Sequence, residues 1–225
     1  MNQQAGKATS AERFVENRDY ESTAAARCGC YAIFSDLTAS PHDVEPVLAR
    51  GKASYVTDGL PYSLDVRGLL DELCSMDTVQ LKFEYSGIFE VGNDGPPVPI
   101  REDLQLGQLS GLREDIVRFY DFFGYGLDEK FAWAPDHLSV ELEFMHYLCY
   151  QEASGAGDIL SFQLGQADFA ERHLNNWVPK LAANVKNLRP DSFYCRVVEA
   201  LREFLATDID WQAGTIKAAA PESEC

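Results

Sequence analysis

Cations are scarce in this chain. Nineteen lysines and arginines stand against 36 aspartates and glutamates, a formal net charge of −17 over 225 residues. Duplex DNA and anionic bilayers both need neutralising cations, so neither is expected as the main partner. A cationic partner or plain solubility remains, and charge alone does not choose between them. No run of 18 apolar residues occurs and no hydrophobic leader follows Met1, so no stable membrane insertion is expected. Paired Cys-x-x-Cys motifs are missing too. The six cysteines (28, 30, 74, 149, 195 and 225) are scattered, and Cys28-Gly29-Cys30 is too tight for a zinc knuckle. Cys149 and Cys195 fall inside apolar helical patterns and read as small core residues, which fits a cytoplasmic protein with reduced thiols. Gly-x-Ser-x-Gly is absent, as is any Gly-rich turn after a strand that would cradle phosphate.

What is present is a helical pattern. Hydrophobic residues make up 46% of the chain and aromatics 12%, enough for a sizeable core. Thr9-x-x-Glu12 has the form of a capping box and opens a helical region to about Leu37, with Cys30, Ile33, Phe34 and Leu37 on one stripe. Further helices are expected from Ser40-Pro41 to about Lys52, from Leu60-Pro61 through Leu73, and over about 76–90. Gly92-Asn93-Asp94-Gly95-Pro96-Pro97-Val98-Pro99 excludes regular structure and reads as a functional loop or an interhelix connector. Leu112, Ile116, Phe119, Tyr120 and Phe123 repeat with a 3.6 period up to Gly124 and Gly126. Beyond them come a helix to about Ala153, one over about 158–175, another from near Trp177, and a last one over 191–207. No strand and no repeat is evident. The fold class is all-α, a bundle of about nine or ten helices. Residues 1–10 are expected to be disordered, 11–210 to form one domain with a hinge at 125–137, and 211–225 to be a flexible acidic tail.

The chain is organised around Pro135-Asp136-His137 and the helix after it. Asp136 is the expected N-cap, accepting an orphaned backbone N–H. Leu138, Leu142, Met145 and Cys149 share one face, and Glu141 lies at the edge of that stripe, where a carboxylate is costly unless paired. Glu143-Phe144-Met145-His146 matches the Glu-x-x-His metal pair of di-iron bundles. Glu143 lies off the apolar stripe, however, and none of the four histidines supplies a second copy, so no metal site is expected. Asp136-His137 is half of an acid/base site at most, since neighbouring residues at a helix start diverge. Catalysis is not supported, and a helical di-metal carboxylate enzyme stands as the alternative.

These motifs resemble a known family. Pro135-Asp136-His137-Leu138 with Glu141-Leu142-Glu143-Phe144-Met145, and Phe169-Ala170-Glu171-Arg172-His173-Leu174 with Trp177-Val178-Pro179, are similar to the TorD/DmsD/NarJ family of redox-enzyme maturation chaperones. Phe83-Glu84-Tyr85, Phe89-Glu90-Val91-Gly92, Gly95-Pro96-Pro97 and Val117-Arg118-Phe119-Tyr120 resemble its branch serving type II dimethyl sulfoxide reductase family enzymes. Clients of that branch include dimethylsulfide and ethylbenzene dehydrogenases and selenate and chlorate reductases.

The resemblance runs from about Tyr31 to about Asp208 and implies a cytoplasmic, TorD-like all-α chaperone with no reaction and no cofactor of its own. Its partner would be a catalytic molybdopterin subunit, bound while its cofactor is inserted, with the twin-arginine signal shielded before export. The client-binding residues it implies are Pro135, Asp136 and His137 in the loop and Tyr85 and Phe89 near a signal groove, joined by Glu141 and Trp133. Asp136 would pair with an arginine, and His137 near its usual pKa would make the contact pH-sensitive. Many members carry Glu-Pro where this chain has Trp133-Ala134, so one carboxylate is missing. The Gly-rich breaks at 124–126 and 154–157 are hinge candidates, compatible with a monomer or a domain-swapped dimer.

Overall fold

The computed structural model describes residues 20–51, 59–127, 134–155 and 157–216. Their helices, in order, are α1 (Tyr20–Thr38), α2 (Val47–Gly51), α3 (Arg67–Ser75), α4 (Thr78–Phe89), α5 (Glu102–Leu106) and α6 (Leu112–Phe123). After these come α7 (Leu138–Ser154), α8 (Ile159–Phe169), a π-turn (Ala170–Leu174), α9 (Asn175–Leu188) and α10 (Phe193–Thr215). The class is all-α, and among the described residues the only β feature is one isolated bridge between Arg101 and His137. Two helices, α2 and α5, are single turns of five residues, so among the described residues eight substantial helices stand against the expected nine or ten.

Helix α7 is the axis. It is apolar nearly all round, burying Leu138, Val140, Leu142, Phe144, Met145 and Leu148, as a helix enclosed by neighbours must be. Helix α1 packs along it, with Ser35 Oγ donating to the Ser139 carbonyl at 2.7 Å. Helix α6 stops where Gly124 takes a left-handed conformation (φ 69°) that other residues adopt only under strain. Aromatic rings fill the space between α6, α7 and α8: Phe144 lies 4.8 Å from both Tyr120 and Phe169.

Deep in the bundle, α1, α7, α8 and α10 are tied by an ionic lock. Arg27 is fully buried, donates from Nε and Nη2 to Asp208 at 2.6 and 2.9 Å, and reaches Glu152 at 3.4 Å. Asp208 also accepts from Tyr31, Tyr62 and Gln212, while Gln163 and Gln166 donate to Glu152. The guanidinium sits 4.9 Å from the Trp211 ring centre. Burial alone would raise the Asp208 carboxyl, yet Arg27 and the two tyrosine hydroxyls hold it below its ordinary value.

Several boundaries move. The stretch after Pro41 forms turns, and helix begins only at Val47. The third helix starts at Arg67, not near Pro61. The helices expected on either side of about 175 join through the π-turn into one continuous run, and Pro179 lies inside α9, where it removes one backbone donor. The last helix continues to Thr215 because Trp211 and Gln212 are buried on the ionic lock, so the tail expected from residue 211 is in part core. Residues 1–10, the Thr9-x-x-Glu12 box and the end of the tail lie outside the described residues.

Candidate functional site

The Asp-His loop is held by a short two-stranded contact with the segment entering α5. Glu102 N–H donates to the Asp136 carbonyl at 3.0 Å, and Leu138 N–H to the Ile100 carbonyl at 3.2 Å. The Tyr120 hydroxyl donates to the carbonyl of the buried Pro135 at 2.8 Å. The strap 96–106 thus lies against the loop and walls a pocket of about 220 Å³. Tyr85, Phe89, Pro99, Leu104 and His137 line it, and the exposed carboxylates Asp43 and Glu90 stand at its rim. The strap is pinned from behind by Gln105, which donates to the Pro99 carbonyl and accepts from Asn184 through its side chain and from Lys180 at its carbonyl.

Three of the expected site residues meet here: Tyr85, Phe89 and His137. Asp136 does not face the pocket. It is fully buried and accepts from Arg101 Nη2 at 2.8 Å, from Arg101 Nε at 3.2 Å and from Asp103 N–H at 3.3 Å, with Arg113 at 3.5 Å. An arginine of a partner would have to displace the chain's own, so the expected role of Asp136 as the arginine-binding group is corrected. Its carboxylate sets the position of Arg101, which lines the pocket.

His137, not Asp136, caps α7. Its Nδ1 accepts from Ser139 N–H at 3.2 Å, which requires the proton on Nε2, 3.5 Å from the Tyr85 hydroxyl. Tyr85 in turn donates to the Thr38 carbonyl at 3.2 Å. Some of the residue's surface still reaches solvent, but the imidazole is enclosed by protein. That burial pulls its pKa down to about 4, with Asp136 opposing and Arg101 assisting. His137 is therefore neutral throughout the physiological range, and the expected pH switch near its usual value does not operate.

Glu141 lies elsewhere, on the inner side of α7. Trp177 Nε1 donates to its Oε2 at 3.1 Å, and the buried Glu102 is its other neighbour. Glu102 Oε2 lies 3.0 Å from His173 Nδ1 on the π-turn, whose Nε2 is 3.8 Å from Asp115 Oδ2. The Oε1 atoms of Glu102 and Glu141 have no ordinary donor, and both residues are fully buried. Two acceptors can meet there only by sharing a proton. Burial first, then the Glu102 carboxylate, pushes Glu141 well above the usual carboxylate range, so Glu141 carries that proton. Sequence reasoning missed Glu102, Arg101 and His173 as partners of this region. The only signal was an acidic residue on an apolar edge. Trp133 lies outside the described residues.

Glu143 and His146 do not form a metal pair. Glu143 is exposed beside Tyr125, whereas His146 turns to α1, with Nδ1 3.0 Å from the Cys28 carbonyl and 3.1 Å from its sulfur. None of the helices among the described residues is long and apolar enough to cross a membrane.

Fold and site together define a helical binding protein with a small aromatic pocket and buried carboxylates committed to internal partners. Comparison with known proteins makes the class specific. The profile of the nitrate reductase delta subunit family matches residues 61–183. The selenate reductase assembly chaperone of Thauera selenatis is 34% identical over 157 residues, which is 68% of this chain and 79% of that one. The perchlorate reductase assembly chaperone of Dechloromonas aromatica is 28% identical over 187 residues, 80% of each chain. The chaperone TorD of Vibrio parahaemolyticus is 28% identical over 103 residues, 45% of this chain and 48% of that one. No solved structure matches. The chain belongs to the nitrate reductase delta subunit family and is a maturation chaperone of the TorD type, not an enzyme.

Proposed function

We propose that the chain is the dedicated chaperone of the molybdenum-containing catalytic subunit of a type II dimethyl sulfoxide reductase family enzyme. It acts in the cytoplasm, assists insertion of the molybdopterin cofactor, and holds the subunit's twin-arginine signal until export. The relatives named for selenate and perchlorate reductases support the client class. The observation that carries the signal-binding part is the pocket at the Asp-His loop: an apolar interior under a rim bearing two exposed acids.

A twin-arginine signal begins with cations and continues with apolar residues. In this reading Asp43 and Glu90 take the arginines, as charge-assisted contacts across the rim. Phe89, Pro99 and Leu104 receive apolar side chains that follow. A volume of about 220 Å³ is small beside ordinary ligand pockets, so it accepts one or two side chains and leaves the rest of the peptide on the surface. The net charge of −17 draws the cationic start in over about a Debye length. Asp136 acts through Arg101, as a positioning group.

The test is fluorescence anisotropy of a labelled synthetic twin-arginine signal peptide across a salt series. Wild type is expected to bind with salt-sensitive affinity, and Asp43→Lys/Glu90→Lys to bind at least tenfold more weakly with a flatter salt slope. Equal binding by the double variant, or none by wild type to the signal of any molybdenum subunit offered, overturns the reading.

A further inference from the structure

Cys28 and His146 meet across the seam between α1 and α7, two turns of α7 beyond Ser139, which lines the Asp-His pocket. The two helices run antiparallel: Ser35 meets Ser139, and Cys28, two turns earlier on α1, meets His146, two turns later on α7. His146 Nδ1 is 3.0 Å from the Cys28 carbonyl oxygen and 3.1 Å from the Cys28 sulfur. A carbonyl oxygen only accepts, so this contact puts the proton on Nδ1 and brings the same N–H to the sulfur. The imidazole is therefore a donor to Cys28 and not its base, whatever the state of Nε2. The thiol's own hydrogen has the His146 carbonyl as acceptor, at 3.7 Å.

Burial sorts the five described cysteines. Cys30, Cys149 and Cys195 are buried, and Cys28 is half-buried while Cys74 is exposed. Burial pushes the Cys30 thiol up to about 12 and raises the Cys149 and Cys195 thiols as well, so these three stay protonated at neutral pH. Only the thiolate is a nucleophile, which leaves Cys28 and Cys74 to compare. Around Cys28 the side chains of α1 are small. Ala25 is exposed one turn before it, and at Gly29 an added Cβ would meet nothing, so a small reagent can reach the sulfur. Cys74 has greater access. Cys28 combines access with an N–H brought to the sulfur, and a donor to sulfur favours the charged, nucleophilic form.

We infer that Cys28 is a reactive thiol, a modification site that takes up half of a small disulfide, with His146 as the donor that holds its thiolate. The thiol gives its proton to water. The thiolate attacks one sulfur of the disulfide, and the new S–S bond forms as the old one breaks. The departing sulfur leaves as a thiolate and takes a proton from water. Cys28 is thereby oxidised to the disulfide level while half of the reagent is reduced to a thiol, and an added dithiol reverses the exchange. The mixed disulfide stands on the α1/α7 seam, one residue from Arg27 and the ionic lock. This site uses none of the pocket residues, so it stands or falls apart from the client reading.

The test exposes the full, reduced chain to hydroxyethyl disulfide, an uncharged reagent that the net charge of −17 neither attracts nor repels. Fragment mass spectrometry follows each cysteine separately. Cys28 is expected to be modified at least tenfold faster than the more exposed Cys74. His146→Phe keeps a ring in place and removes the donor; it should slow Cys28 at least tenfold and move its rate–pH profile to higher pH. His146→Asn, whose amide nitrogen can stand where Nδ1 does, should restore both. Far-UV circular dichroism checks that the variants fold, and if His146→Phe does not, the order of Cys28 and Cys74 in wild type decides. Modification of Cys74 ahead of Cys28 in wild type overturns the inference. So does a folded His146→Phe with unchanged rate and profile, since Cys28 is then only an accessible thiol. Equal slowing by Phe and Asn assigns the effect to packing and overturns it as well.

Discussion

Two buried polar clusters sit toward opposite ends of α7 and are built differently. Around Arg27 the charges are complementary: one guanidinium faces Asp208 and Glu152, and tyrosine and glutamine side chains occupy the remaining acceptor positions. Around Glu141 they are alike: two carboxylates meet, a shared proton separates them, and Trp177 and His173 are the neighbouring polar groups. The first cluster ties four helices, α1, α7, α8 and α10. The second ties α5, α7, the π-turn and α9, and α5 belongs to the strap that walls the pocket. Complementary charge goes with the cluster deepest in the bundle. An electrostatically awkward pair goes with the wall of the Asp-His pocket, the pattern expected where function and stability compete.

The largest test of that contrast is Arg27→Met. It leaves Asp208 and Glu152 buried without their cation and should cost about 3–5 kcal/mol in urea unfolding. A loss under 1 kcal/mol would show the cluster to be weakly coupled to the fold. Gly165→Ala probes the contact between α6 and α8, where the new methyl meets the Phe123 ring; about 1–3 kcal/mol of destabilisation is expected from overpacking.

Glu141→Gln should go the other way. The amide can accept from Trp177 and donate to Glu102, removing both orphaned oxygens, and should stabilise by about 1 kcal/mol at pH 8. The folded protein holds the Glu141 proton more tightly than the unfolded chain does. Wild-type stability from this group is therefore lost as pH rises from the ordinary value of 4.5 toward the raised folded one. Thermal melts across pH 5–9 should show this decline in wild type and a flatter profile in Glu141→Gln. Parallel profiles would sink the shared proton.

The smallest expected effect is on pH-dependent binding. With the His137 pKa near 4, affinity for a signal peptide should be constant from pH 6 to 8. The neutral, enclosed imidazole becomes unfavourable only in acid, as pH falls from the usual 6.5 toward 4, where the unfolded chain takes up the proton more readily. An inflection near 6.5 in calorimetric titrations would mean the ring is more open than described.

How much of this was legible in the residues depends on how local each feature is. Helices α4 and α6 could be placed within a residue or two, because their apolar periodicity and the Gly124 stop are local signals. The stretch after Pro41 was not, since the tight turns there carry the same Ser-Pro start signal as a helix. The end of α10 was also missed, because Trp211 and Gln212 look like tail residues until Arg27, 184 positions earlier, is brought beneath Trp211. In the site, Tyr85, Phe89 and His137 were found together. Asp136 was given the wrong partner, because nothing in the spacing of Arg101 and Asp136 reveals a pairing made by a two-residue bridge between distant loops.

The sequence by itself determined the all-helical class, the acidic surface and the family, all of which depend on composition, period and order along the chain. Only the tertiary structure decided which charges are spent internally and which face water. Burial and pairing are properties of elements brought together from far apart, and the same aspartate or histidine titrates and binds differently according to what is packed against it.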